Sequence, residues 1–276
     1  MKEKILAAFE NLGFNLEDNE SLGYSFNYEG INYLYMHNED DEDFLNISVP
    51  CIYDLEEDNK EKYEELKEKI NSTLKYVKAY TLGKGLWLFY ERDLLGNEDL
   101  EEVLRHMFLH LAAALMFARD SIEKIDNGES DEDSDNDNND KTTSIMTKYE
   151  MVVSVLQSLG VKPQIDDDGD IFVRYQMKTF YVLGANSDDE DYLVVVFPQM
   201  YEVNEGEETK VLAVCNKITR EIKLTKVYID QTLKNGSASC EFYYNGEESL
   251  KTSLDKSLDI LGMVRSTFIK TMRSFD

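Results

Sequence analysis

A chain of 276 residues with 42% hydrophobic and 11% aromatic content has the apolar material of a folded protein, and its length allows two domains of ordinary size. It carries 29 basic against 56 acidic side chains, a formal charge of −27, and such a field repels phosphate backbones and anionic bilayers. Direct contact with nucleic acid or a membrane surface is therefore not expected, and a protein partner with basic character is favoured.

In chain order, the first element is a helix in which Ile5, Leu6, Phe9 and Leu12 recur at helical spacing, with Gly13 at the C-cap position. Alternation then predicts a hairpin: Tyr24, Phe26 and Tyr28 on one strand, Tyr33 and Tyr35 on the next, and Glu29-Gly30 at the turn. An acidic turn, Asn38–Asp43, precedes a third strand from Phe44 to Val49, which Pro50 is expected to end. A second helix from about Lys60 to Ser72 shows a thin stripe of Tyr63, Leu66 and Ile70. Two strands follow, near Val77–Leu82 and Leu86–Tyr90, then a long helix through Leu100, Leu104, Met107 and Leu111. Residues 126–144 contain no apolar side chain and eight acidic ones, the composition of a disordered linker. A flexible segment of this length spans roughly 25 Å, so the parts on either side can touch.

The pattern then begins again. Asn38 to Leu45, Pro50 and Tyr53 recur 148 residues later as Asn186 to Leu193, Pro198 and Tyr201, and Lys78-Ala79-Tyr80 recurs as Lys226-Val227-Tyr228. Leu12-Gly13 returns as Leu159-Gly160. The expected organisation is two tandem repeats, 1–125 and 145–276, joined by an acidic linker at 126–144. Each is α-βββ-α-ββ-α, an α+β unit whose mainly antiparallel sheet is covered by helices.

This element order resembles the YbjN-like domain, which shares its fold with type III secretion chaperones of the CesT kind. The supporting features are the Leu-Gly helix end, the acidic turn before the third strand, Pro50 and Pro198, and the long closing helix. The resemblance implies a non-enzymatic, chaperone-like or regulatory protein-binding module built as a pseudo-dimer. The alternative is an enzyme or small-molecule binder with a site between the repeats.

Chemical motifs weigh against the alternative. The acidic turns and the linker do not fit a twelve-residue calcium loop, which wants Gly at its sixth position and Glu at its twelfth. His106 and His110 have the spacing of two zinc ligands but lack the Glu of H-E-x-x-H, and the second half contains no histidine. Cys51 has no apparent Cys-His-Asn arrangement, and no phosphate-cradling glycine loop occurs. No catalytic residue, cofactor or metal is expected. Cys51, Cys215 and Cys240 show no C-x-x-C spacing, and no apolar leader follows Met1, so reduced thiols and a cytoplasmic location are expected. The longest nearly apolar run, Met107 to Ala118, is too short to span a bilayer.

That same run is apolar on more than one side of its helix. Leu109, Ala113, Met116 and Phe117 therefore need a cover beyond their own sheet, and Met263 and Phe268 widen the apolar face of the second closing helix. These six residues are the expected interface, either between the repeats or with a partner, as an intramolecular pseudo-dimer or a homodimer.

Overall fold

The structure, a computed structural model, describes residues 1–19, 22–56, 59–127, 148–166, 169–185, 187, 191–230 and 234–275. The first unit runs α1 (Lys2–Asn11), β1 (Glu17–Asn19), β2 (Gly23–Tyr28), β3 (Ile31–Tyr35), β4 (Phe44–Asp54), α2 (Lys60–Thr73), β5 (Val77–Leu82), β6 (Gly85–Asp93) and α3 (Leu100–Asn127). The second repeats the order: α4 (Lys148–Ser158), β7 (Pro163–Ile165), β8 (Ile171–Tyr175), β9 (Lys178–Leu183), β10 (Tyr192–Glu202), α5 (Glu208–Glu221), β11 (Thr225–Ile229), β12 (Asn235–Tyr243) and α6 (Gly246–Ser274). The sheets are ordered β1-β2-β3-β4-β6-β5 and β7-β8-β9-β10-β12-β11, with antiparallel pairs throughout. The α+β class and the two equivalent units stand as read from the sequence.

Two details differ. Each unit has an extra first strand, so the order is α-ββββ-α-ββ-α. β1 is exposed along its length, and nothing in its polar residues alternates to announce a strand. The long central strands do not stop at their prolines either. β4 and β10 shift register between Val49 and Tyr53 and between Phe197 and Tyr201. At the bulge, Cys51 and Gln199 adopt positive φ of 50° and 48°. Proline lacks a donor, but within a bulge no ladder N–H is required of it, so the strand continues.

Each unit has its own core on the helix side of its sheet. In the first, Leu45, Ile47, Leu88 and Tyr90 share one buried cluster with Leu66, Ile70, Leu104 and Met107; in the second, Val195 and Cys240 share one with Val214, Leu254 and Leu258. The alternate positions, Ser48, Lys78, Tyr80 and Phe89, lie on the opposite, outer face and are nevertheless buried. One residue crosses over: Phe44 of the first unit belongs to the core of the second.

The chain between the units begins later than its composition implied. Asp126 and Asn127 belong to α3, and Asp126 pairs with Lys62 at 2.5 Å. The rest of the expected linker lies outside the described residues, as do Asn186 and Asp188–Glu190 of the second acidic turn. No described helix is long and apolar enough to cross a membrane.

Candidate functional site

The units meet through the edge strands β5 and β11, the ends of α2 and α5, and the outer faces of β6 and β12. Lys78 on β5 is 3% exposed, and all three of its ammonium hydrogens are used. Its Nζ pairs with Glu91 on β6 at 2.8 Å and donates to the carbonyls of Thr219 (2.8 Å) and Ile222 (3.3 Å), at the C-terminus of α5 in the other unit. The same arrangement runs in reverse 148 residues on. Lys226 pairs with Glu241 at 2.5 Å and donates to the carbonyl of Leu74 (2.6 Å), which caps α2. A helix C-terminus exposes unpaired carbonyls at the negative end of its dipole, which is what a buried ammonium needs. Each edge lysine thus caps a helix of the opposite unit. Burial still pulls the Lys78 pKa below its ordinary value, with Glu91 opposing the fall.

The carboxylates serve both sides as well. Glu91 Oε2 accepts the backbone N–H of Leu224 at 2.9 Å, and Glu241 Oε2 accepts that of Tyr76 at 2.7 Å. A second matched pair closes the edges. Asn216 Oδ1 on α5 accepts the N–H of Thr81 at 2.7 Å, and its Nδ2 donates to the Thr81 carbonyl at 3.5 Å. The counterpart of Asn216 is Glu68 on α2, whose Oε2 accepts the N–H of Ile229 at 2.7 Å. The other oxygen, Oε1, makes no hydrogen bond, and Lys67 Nζ lies 3.5 Å from it. Burial raises the Glu68 pKa to about 7 against the opposing pull of Lys67.

Aromatic contacts complete the seam. Tyr76 packs on His110 (4.0 Å between centroids), Tyr192 (4.2 Å) and Tyr243 (5.3 Å), and the Arg92 guanidinium lies 4.0 Å over the Tyr243 ring. Lys223 sits 4.4 Å over Phe44 and pairs with Asp41, so the first acidic turn is an anchor between the units. The cavity left among Tyr76, Lys78, Arg92, Tyr192, Lys226 and Glu241 is about 30 Å³, room for about one water and not for a metabolite.

A larger hollow lies elsewhere. On the outer face of the first sheet, an open groove of about 890 Å³ extends from Trp87 on β6 across Pro50, Leu34 and Ser25 to Glu17 on β1. In the second unit the register-equivalent positions of Ser25 and Leu34 are Phe172 and Tyr181, whose rings meet at 5.9 Å, and that of Trp87 is Ser237. Short side chains in one unit leave open what two rings occupy in the other.

Of the six residues expected at an interface between the repeats or with a partner, none lies in the seam between the units. Leu109 (66% exposed), Met116 (59%) and Met263 (60%) face solvent, as does Ala113; Phe117 is half-buried against the first core; Phe268 is fully buried in the second core beside Tyr201. The reason is that the outer sheet faces, not the closing helices, carry the docking. His106 and His110 are neighbours with ring centroids 6.3 Å apart, and His110 stacks on Tyr76. Cys51 is held by Asp54 at 3.1 Å, and burial together with that carboxylate raises its thiol pKa, the reverse of what a nucleophile needs. The seam was missed, although it had a signal: a lysine inside an apolar strand, Lys78, which recurs as Lys226.

A family model described as YbjN, "Putative bacterial sensory transduction regulator", matches residues 148–236, so α4 through the start of β12 form a YbjN-like region. None of the curated proteins matches the chain. Among solved structures, the crystal structure of an uncharacterized protein from Methanothermobacter thermautotrophicus is similar over 46% of this chain and 97% of its own, with 14% identity and a TM-score of 0.33.

Proposed function

We propose that the chain is a non-enzymatic regulatory or chaperone-like module that binds a partner protein, its two units acting as an intramolecular pseudo-dimer. The first unit is read here as a second YbjN-like domain, on the strength of its identical element and strand order. The observation that carries the reading is the solvent-facing ridge of α3. Leu109, Ala112, Ala113 and Met116 share one face at helical spacing and are all exposed. On α6, 150 residues on, Leu109 becomes Asp259, which accepts a hydrogen bond from Tyr175 at 2.6 Å, and Met116 becomes Ser266. One closing helix is finished for water and its equivalent is not, as expected where a partner covers it. Met263 on α6 is the one exposed apolar residue at the matching place in the second unit.

The test is affinity capture with the full chain beside a Leu109→Asp, Met116→Asp variant. A protein retained by the wild type and lost by the variant, with unchanged melting temperature, supports the reading. Retention indifferent to the variant sinks it. So does a metabolite that shifts the melting temperature of both forms equally.

A further inference from the structure

The groove on the outer face of the first sheet is a second surface, unrelated to the α3 ridge, and its chemistry is specific. Its floor combines apolar groups, Leu34, Pro50 and the half-buried ring of Trp87, with the hydroxyl of Ser25. Its rim carries amides from Asn27 and Asn32, which bond to each other at 3.0 Å, and its charged members among the described residues, Glu17 and Glu29, are both acidic. β1 forms the edge of this sheet: it pairs with β2 on one side, and among the described residues no strand pairs with it on the other. In the second unit the rim changes sign, because Asn27 is replaced by Arg174 and Glu17 and Glu29 by Gln164 and Gln176.

We infer that this groove binds a short peptide segment in which bulky apolar side chains alternate with lysine or arginine. The volume of about 890 Å³ lies in the range of ligand clefts. The apolar floor accepts one or two side chains that would otherwise meet water. The acidic rim supplies charge complementarity, and β1 offers a backbone edge to an extended chain. The inference rests on the reading of the chain as a protein-binding module, but on a different surface from the one that carries that reading.

The chain contains a single tryptophan, and Trp87 lines the groove, so its emission reports occupancy directly. The probe is a blocked pentapeptide of alternating lysine and leucine, titrated into the full chain, with calorimetry run in parallel. A saturable change in emission and heat is expected. A lysine–serine peptide and a glutamate–leucine peptide are expected to give neither. Ser25→Phe, which installs the residue found at this place in the second unit, should abolish the response, and Glu17→Lys with Glu29→Lys should weaken it at least tenfold.

An equal response to the lysine–serine peptide means only long-range attraction to an acidic chain, and overturns the proposal. Absence of both signals overturns it too, as does binding unchanged in Ser25→Phe. Capture through α3 is measured separately, so failure of the groove leaves the α3 result standing, and the reverse also holds.

Discussion

The two units share one fold and differ most where they do not touch. At the seam, like residues perform like tasks: Lys78 and Lys226 cap opposite helices, and Glu91 and Glu241 accept opposite backbone N–H groups. Away from it, Ser25 and Leu34 face a hollow where Phe172 and Tyr181 close one, and Leu109 is bare where Asp259 is bonded. Reciprocal docking constrains both halves to the same chemistry, because a change on one side strands a buried group on the other. Surfaces outside the seam carry no such obligation, and there the first unit has the open features and the second the finished ones.

The comparison is broken most severely at the lysines. Lys78→Met strands Glu91, which is 7% exposed, and is expected to lower unfolding free energy by about 3–5 kcal/mol in urea titrations. Lys226→Met is expected to cost somewhat less, because Glu241 is 13% exposed. If either costs under about 1 kcal/mol, the seam is not a reciprocal clamp.

A smaller effect tests a seam position where the units differ in charge. Glu68, with its pKa raised from 4.5 to about 7, binds a proton more readily folded than unfolded. Its contribution is therefore complete below about 4.5 and is lost as pH rises through about 7, by on the order of 3 kcal/mol at most. The charged and titratable groups around it are Lys67 and Glu64 on α2, Cys215 on α5 and Tyr228 on β11. Glu68→Gln should behave like Asn216 and remove this slope from melting curves recorded between pH 5 and 8. An unaltered slope would show that another group sets it.

The mildest change is Asn216→Ala, which leaves the N–H of Thr81 without its acceptor. It is expected to cost about 1–3 kcal/mol, and to raise amide exchange at Thr81 in preference to its neighbours. Uniform acceleration along β5 would instead mean that the whole edge opens together.

Much of the fold was legible because it is local. Among the described residues, periodicity locates the six helices and ten of the twelve strands, and a fixed sequence offset exposes the two units. The strands β1 and β7 were not legible because segments of three residues are too short to show an alternation. Pro50 and Pro198 read as strand ends in the sequence because a bulge is a property of the pair of strands, not of the proline. The seam was less legible still. It is made largely of side chains reaching backbone carbonyls and N–H groups across 130 to 165 positions, and such acceptors have no sequence signature. The apolar face of α3 was legible as apolar but not as exposed, since composition reports what a helix could bury and not what lies against it.

Phe44 has a consequence for synthesis. It sits on the first unit's central strand but is packed in the second unit's core, 4% exposed. A ribosome delivers residues 1–127 before β10, α5 and β12 exist, and N-terminal units generally begin to fold first. During that interval Phe44 has no core to enter, and Lys78 and Glu91 have each other but no carbonyls or N–H from the opposite unit. A chain interrupted between the units would keep those groups exposed indefinitely. It would present proteases and chaperones with the uncovered seam by which an unfinished chain can be told from a complete one.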